Sequence, residues 1–335
     1  MQGGPLQWGI PSSKSRSGIN LRQHPKSTRA QISDMNQTIT FILSASLLIG
    51  QASLAQDSVR KDIAYDDEHA SQILDFYPAK KTDKPAPVMV FIHGGGWRGG
   101  SKKDIPRFLT KANADGWLAL VSVEYRFTDV APHPAQVDDC ARAIQFLRQN
   151  AKEWNLDPDR IGVTGGSAGG HLSAYIALQN DEAKPTSKDP VERQSSRVSF
   201  AIPFAGPTDW GLLGTVKHDH PAYRQLLGYE PGTPADKMSP EKKKDVSPLQ
   251  FVSPDDPPIL IVHGDADKIV PIEHARVLDT ALEKAKVSTE LFIVKGGNHG
   301  IAGAGHPAAV NRASAFMRKH LLADGEKTKS TESSK

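Results

Sequence analysis

An α/β fold with a mostly parallel, eight-stranded sheet flanked by helices is predicted from three observations. From residue 57 onward, strand-like and helix-like stretches alternate along the chain. The strands after residue 86 are unbroken apolar runs rather than apolar–polar alternations, as expected where helices cover both faces of a parallel sheet. The intervening segments carry apolar residues three and four apart, the spacing of a helix with one buried face.

In chain order, SVRKDIAYDD (58–67) and QILDFYPAK (72–80) read as two opening strands, antiparallel at a sheet edge. VMVFIHG (88–94), a helix within 104–114 and WLALVSVEYR (117–126) follow. Residues 135–154 give the clearest helix, with Val137, Cys140, Ala141, Ile144, Leu147, Ala151 and Trp154 on one face. RIGVTGG (160–166) is a buried strand and HLSAYIALQN (171–180) a helix. VSFAIPFAG, PILIVHG, a helix within 272–286, TELFIVKG and a last helix near 307–321 complete the series. Residues 211–256, rich in Pro, Lys and Asp, break the rhythm and read as an excursion between two strands.

The ends read differently. FILSASLLIG (41–50) is too short to span a bilayer but suits the core of a secretion signal, and Ser53 and Ala55 are small residues placed for cleavage after Ala55. Residues 35–55 are therefore expected to be a signal peptide starting at Met35, with 1–34 a mistranslated upstream segment, 57–322 the folded domain and 323–335 a solvated tail. Export to the periplasm or medium is the expected location, without stable membrane insertion after signal removal. The formal charge of +3 comes from that upstream segment. Of 41 basic and 38 acidic residues, five and one lie in 1–34 and none in 35–56, leaving 36 and 37. No basic field remains to attract nucleic acid. The single cysteine, Cys140, excludes an internal disulfide, and no ligand cluster for a metal or redox cofactor is evident, so none is expected.

The chemistry concentrates in GVTGGSAGGHL (162–172). Gly165-Gly166-Ser167-Ala168-Gly169 fits G-x-S-x-G, a sharp strand-to-helix turn that exposes a serine oxygen. The bare pattern arises by chance in roughly one chain in ten of this length, at a Gly frequency near 7%. A strand immediately before it and a helix immediately after make it specific. The helix start also puts the Ala168 N–H beside the serine. At the end of VMVFI, His93-Gly94-Gly95-Gly96-Trp97 offers backbone N–H groups free of side chains, with Gly95 and Gly96 suited to a developing oxyanion. It has neither the G-x-x-x-x-G-K nor the dinucleotide pattern of a phosphate loop. His93 is suited to orienting this loop.

A nucleophilic serine needs an imidazole to take its proton and a carboxylate to orient that imidazole. Both occur at later strand ends, on the sheet edge where open α/β sheets bind ligands. TELFIVKG runs into Gly296-Gly297-Asn298-His299-Gly300, which makes His299 the base. PILIVHG runs into Asp265-Ala266-Asp267. Loop placement favours Asp267 as the acid, with Asp265 the alternative and suited to bonding within the turn. His171, His218, His220 and His274 have no such placement, and His306 heads a helix.

Together HGGGW (93–97), EYRF (124–127), the segment leading into NLDPDRIGVTGGSAGGHL, SPDDPPILIVHGDADKIVP (253–271) and GGNHG (296–300) resemble the α/β-hydrolase superfamily. More narrowly, they resemble the bacterial esterase/lipase group that includes feruloyl-esterase-like and hormone-sensitive-lipase-like enzymes, over residues 57–322. The resemblance implies an α/β-hydrolase fold, with Ser167 as nucleophile, Asp267 as acid, His299 as base, and Gly95, Gly96 and Ala168 as oxyanion donors. It implies a serine esterase acting on short acyl or hydroxycinnamoyl esters of a carbohydrate or other small alcohol. Only about thirty residues precede the first parallel strand of the mature domain, so little or no cap is expected and 211–256 must supply any roof. A prolyl-oligopeptidase-type peptidase shares the triad order but usually brings a propeller domain. A non-catalytic hydrolase-fold binding protein typically lacks a triad member. Trp97 and Trp210 are candidates for stacking on substrate, with core anchoring as the alternative. Arg126 suits a salt bridge and Asp209 a turn.

Overall fold

The computed structural model describes residues 58–80, 84–215, 220–303 and 305–322. The expected upstream segment, signal peptide and tail lie outside them. One eight-stranded sheet runs in the order β1-β2-β4-β3-β5-β6-β7-β8. Its strands are β1 (Arg60–Ala64), β2 (Ile73–Tyr77), β3 (Ala86–Ile92), β4 (Ala119–Val123), β5 (Leu156–Gly166), β6 (Phe200–Phe204), β7 (Ile259–Gly264) and β8 (Thr289–Val294). β1 and β2 pair antiparallel at one edge and β2 meets β4 antiparallel; every later pairing is parallel.

Alternation along β3 shows why both faces must be covered. Val88, Val90 and Ile92 enter one apolar core, with α2 (Ala135–Gln149), α3 (Ala168–Leu178) and α6 (Glu273–Lys284). Met89 and Phe91 enter the other, with α1 (Arg107–Ala114) and α7 (Pro307–Leu321). Every residue of α3 is buried, which an amphipathic helix could not tolerate; its mostly apolar sequence fits that central place. Among the described residues no helix is long and apolar enough to cross a membrane.

Two boundaries differ from the pattern by four residues or more. α2 stops at Gln149 rather than near 154, because Asn150 leaves helical geometry (φ −96°, ψ 3°) and Leu156 N–H turns back to Ala151 O. Ala151 and Trp154 stay buried in the turns that follow, and Trp154 stacks on Phe76 at 4.7 Å. β5 begins at Leu156, four residues early. The extra stretch contains Pro158, which has no N–H for a ladder, and the register with β3 shifts between Ala86 and Val88 to pass it.

Among its described residues the excursion between β6 and β7 holds only short elements: α4 (Ala222–Leu226), α5 (Pro240–Asp245) and 3-10 turns at Trp210–Leu212, Ala235–Lys237 and Pro248–Phe251. Three of its residues, His220, Ala222 and Tyr223, line the cavity described below. Trp210 fixes the excursion to the core.

Candidate active site

Parallel pairing of β3 to β8 delivers the loops that follow them to one sheet edge, among them those after β3, β5, β7 and β8. At the end of β5 the chain bends at Ser167 with φ 56° and ψ −120°, a conformation costly for any residue with a Cβ, by about 1–3 kcal/mol. The bend is held by Ser167 N–H donating to Phe204 O at 2.9 Å. It also demands small neighbours: a Cβ on Gly169 would lie 2.0 Å from Ile92 O. That contact presses α3 directly onto β3.

Ser167, His299 and Asp267 come together although 132 and 32 residues separate the successive partners. Ser167 Oγ lies 2.9 Å from His299 Nε2, and His299 Nδ1 lies 2.7 Å from Asp267 Oδ2. The ionised carboxylate can only accept, so Nδ1 carries the ring proton and Nε2 is free to accept from the serine hydroxyl. Asp267 Oδ1 accepts from Ile269 N–H at 2.8 Å and Val270 N–H at 3.0 Å. Burial alone would raise the Asp267 pKa. The imidazoles of His263 and His299 and these two N–H groups outweigh it and hold the carboxyl well below the usual range. Asp265 does different work. Its Oδ1 accepts from Gly296 N–H at 2.5 Å, joining the β7 and β8 loops from the exposed side.

The glycine loop after β3 lies alongside, because Ile92 pairs with Gly165 across the β3–β5 ladder. Gly95 has φ 115°, and a Cβ there would meet Gly99 O at 2.1 Å, so only glycine fits this turn. Gly95, Gly96, Ser167 and His299 line one cavity of about 560 Å³. Ala168 begins α3, and its N–H is among the first four of a helix that have no intrahelical acceptor. His93, fully buried, braces the loop: Nδ1 lies 2.7 Å from Gly94 O and Nε2 2.7 Å from Glu124 Oε1.

Trp97 lines the cavity but is 2% exposed, its indole N–H donating to His171 Nδ1 at 3.2 Å. Burial lowers the His171 pKa to about 3, which keeps that nitrogen an acceptor, while Nε2 donates to Val246 O. Trp210 corrects the expectation of a substrate contact. It is fully buried, outside the cavity lining, with its indole N–H on Tyr223 O at 3.1 Å. No face of that ring is left for a ligand. Arg126 pairs with Asp139 at 2.7 Å, and Asp209 accepts from Gly211 N–H within its turn.

Three cavity residues had no signal in a linear reading. His220 and Tyr223 arrive with the excursion, and Asp104 with the loop before α1. Arg98 also lines the cavity, donating to Gln225 Oε1 at 2.6 Å. Phe91, Ala222, Ile269 and Val270 supply apolar wall. Among the described residues no three His, Cys, Asp or Glu side chains form a group that could hold a metal ion.

This constellation is equipped for nucleophilic acyl transfer: a serine hydroxyl lining the cavity, a base with a fixed tautomer, an ionised acid, and a glycine loop and a helix start that can supply N–H donors. The model of the family described as BD-FAE matches residues 74–282. A probable carboxylic ester hydrolase, LipM, from Mycobacterium tuberculosis is 32% identical over 220 residues, covering 64% of this chain and 49% of the relative. The chain thus spans about half the length of that curated relative. A solved truncated carbohydrate esterase from gut microbiota superposes with a TM-score of 0.68 at 28% identity, covering 79% of this chain and 96% of that one. The propionate-bound esterase Est2 of Thermogutta terrifontis gives a TM-score of 0.62 at 27% identity, covering 80% and 97%.

Proposed function

Since the chain belongs to the BD-FAE family and has the α/β-hydrolase fold, we propose that it is a serine ester hydrolase for short acyl or hydroxycinnamoyl groups carried on a carbohydrate or other small alcohol. The observation that carries this reading is the unbroken hydrogen-bond chain Ser167–His299–Asp267, at 2.9 and 2.7 Å, beside a glycine loop. In this mechanism Ser167 Oγ attacks the ester carbonyl while His299 Nε2 takes the hydroxyl proton. The oxyanion collects the N–H groups of Gly95, Gly96 and Ala168. His299 then returns the proton to the departing alcohol, and the acyl-enzyme is hydrolysed by water activated at the same nitrogen.

The choice of substrate rests on the cavity and on the relatives. Est2 binds propionate by its description, and the gut neighbour is described as a carbohydrate esterase. Arg98 and Asp104 line the same cavity, and among the described residues Arg98 is tied only to the neutral Gln225 amide oxygen. Their spare donors and acceptors match the hydroxyls of a sugar. A long acyl chain would have to run past these charges or into solvent, where an added methylene gains little of the about 0.8 kcal/mol that full burial supplies. Across p-nitrophenyl esters from acetate to palmitate, kcat/KM is expected to peak between acetate and butyrate. Acetylated xylan and methyl ferulate, run beside them, decide between the two acyl classes. A peak at palmitate would overturn the short-acyl reading.

Export belongs to the same proposal. Its support is the apolar run 41–50 and the small residues before Gln56. Sequencing the mature amino terminus from the native host is expected to find it near Gln56. An intact chain beginning at Met1 in the cytoplasm would refute export.

A further inference from the structure

We propose that His263, at the end of β7, is a positioning residue that holds the acid of the triad in place. The inference rests on the reading of Asp267 and His299 given above. His263 is fully buried, and its Nε2 lies 2.8 Å from Val270 O. A carbonyl oxygen can only accept, so Nε2 carries a proton, and in the neutral ring Nδ1 is then a bare lone pair. That Nδ1 is buried without a hydrogen-bond partner. An orphaned buried acceptor destabilises a fold, and an apolar side chain of similar size would fill the strand position without it. The imidazole must therefore be explained by its other nitrogen.

Nε2 sits at the point where the acid loop closes. Val270, whose carbonyl it holds, donates its own N–H to Asp267 Oδ1 at 3.0 Å. The same Nε2–H lies 3.6 Å from Asp267 Oδ2, the oxygen that faces His299 Nδ1 at 2.7 Å. His263 thus grips the loop 265–270 from the rigid end of a strand and turns a positive dipole toward the carboxylate. The titratable groups around it are Asp267, His299 beyond it, and His274 on α6. His274 Nδ1 accepts from Thr208 and Asp209 N–H, and burial lowers its pKa to about 3, so it adds no charge. Without the Nε2 donor, Val270 O is released and the loop that carries Asp267 is free to shift against His299. Ångström-scale misplacement of a catalytic group costs on the order of a hundredfold in rate.

Glutamine and methionine have nearly the same shape, but only glutamine places an N–H donor near the position of Nε2. The test compares His263→Gln with His263→Met in the full chain. Three quantities are measured: kcat and KM on p-nitrophenyl acetate, thermal unfolding, and the low-field proton resonance of His299 Nδ1–H. His263→Met is expected to lose about tenfold to a hundredfold in kcat, with KM nearly unchanged and the low-field resonance broadened or shifted upfield. His263→Gln is expected to recover most of the rate and the resonance. Equal losses in the two variants, or full kcat in the methionine protein, would overturn the proposal. If the methionine protein does not fold, the glutamine protein decides alone, and loss of its resonance overturns the proposal. His299→Ala serves as the control: hydrolysis surviving that change would sink the triad itself, not only the role of His263.

Discussion

Ser167→Ala is expected to remove ester hydrolysis by about four to six orders of magnitude in kcat while leaving the folded protein intact. Among the described residues the side chain has one hydrogen-bond partner, His299 Nε2, and Ser167 lines the cavity. Alanine keeps the Cβ, so the backbone strain at φ 56° is unchanged and no hole opens. The stability change should stay within about 1 kcal/mol, the range for substitutions that create no cavity and orphan no buried group. Activity on p-nitrophenyl acetate and thermal unfolding, measured on the same sample, check both halves. Retained hydrolysis would mean that the bend at Ser167 is only a turn.

The two aspartates of the β7 loop should separate cleanly. Asp267→Asn is expected to lower kcat by on the order of 10³–10⁴-fold. An amide opposite His299 Nδ1 can present N–H instead of an acceptor, which favours the wrong tautomer and leaves the imidazolium without a counter-charge. His299→Ala should cost as much as Ser167→Ala, because neither group works alone. Asp265→Asn should stay within a few-fold of the parent, since its bond is to Gly296 N–H and an amide oxygen can accept it equally. Asp267 also ties activity to acid stability. Its folded pKa is depressed, so it stabilises the fold above the ordinary carboxylate pKa, near 4, and that contribution is lost as pH falls below it. Asp267→Asn should therefore flatten the acid limb of the unfolding curve. The reverse ranking of the two variants would move the acid by two residues.

Much of this site was legible in the chain because strand ends announce it. Apolar runs ending in glycine, with Ser167, Asp267 and His299 just beyond, identify one sheet edge without any knowledge of contacts. Glycine positions such as Gly95 and Gly169 are equally readable, since close backbone approach leaves no other choice. Side-chain destinations were not. A tryptophan in a loop serves as well for a platform as for an anchor, and only the packing of Tyr223 and His171 around Trp210 decides for the anchor. His220 enters the cavity wall through the return path of an irregular segment, which carries no periodicity to follow. His263 carries no signal of its own within the run PILIVHG, because its partner is a carbonyl seven positions ahead in a loop that folds back.

The base stands after β8, the last strand of the sheet, which has β7 as its single neighbour. The nucleophile, by contrast, is formed in the middle of the sheet, between the ladders to β3 and β6. A chain that has completed everything but its final strand would own a bent serine and no means of deprotonating it. Turnover thus requires the outermost strand to be docked.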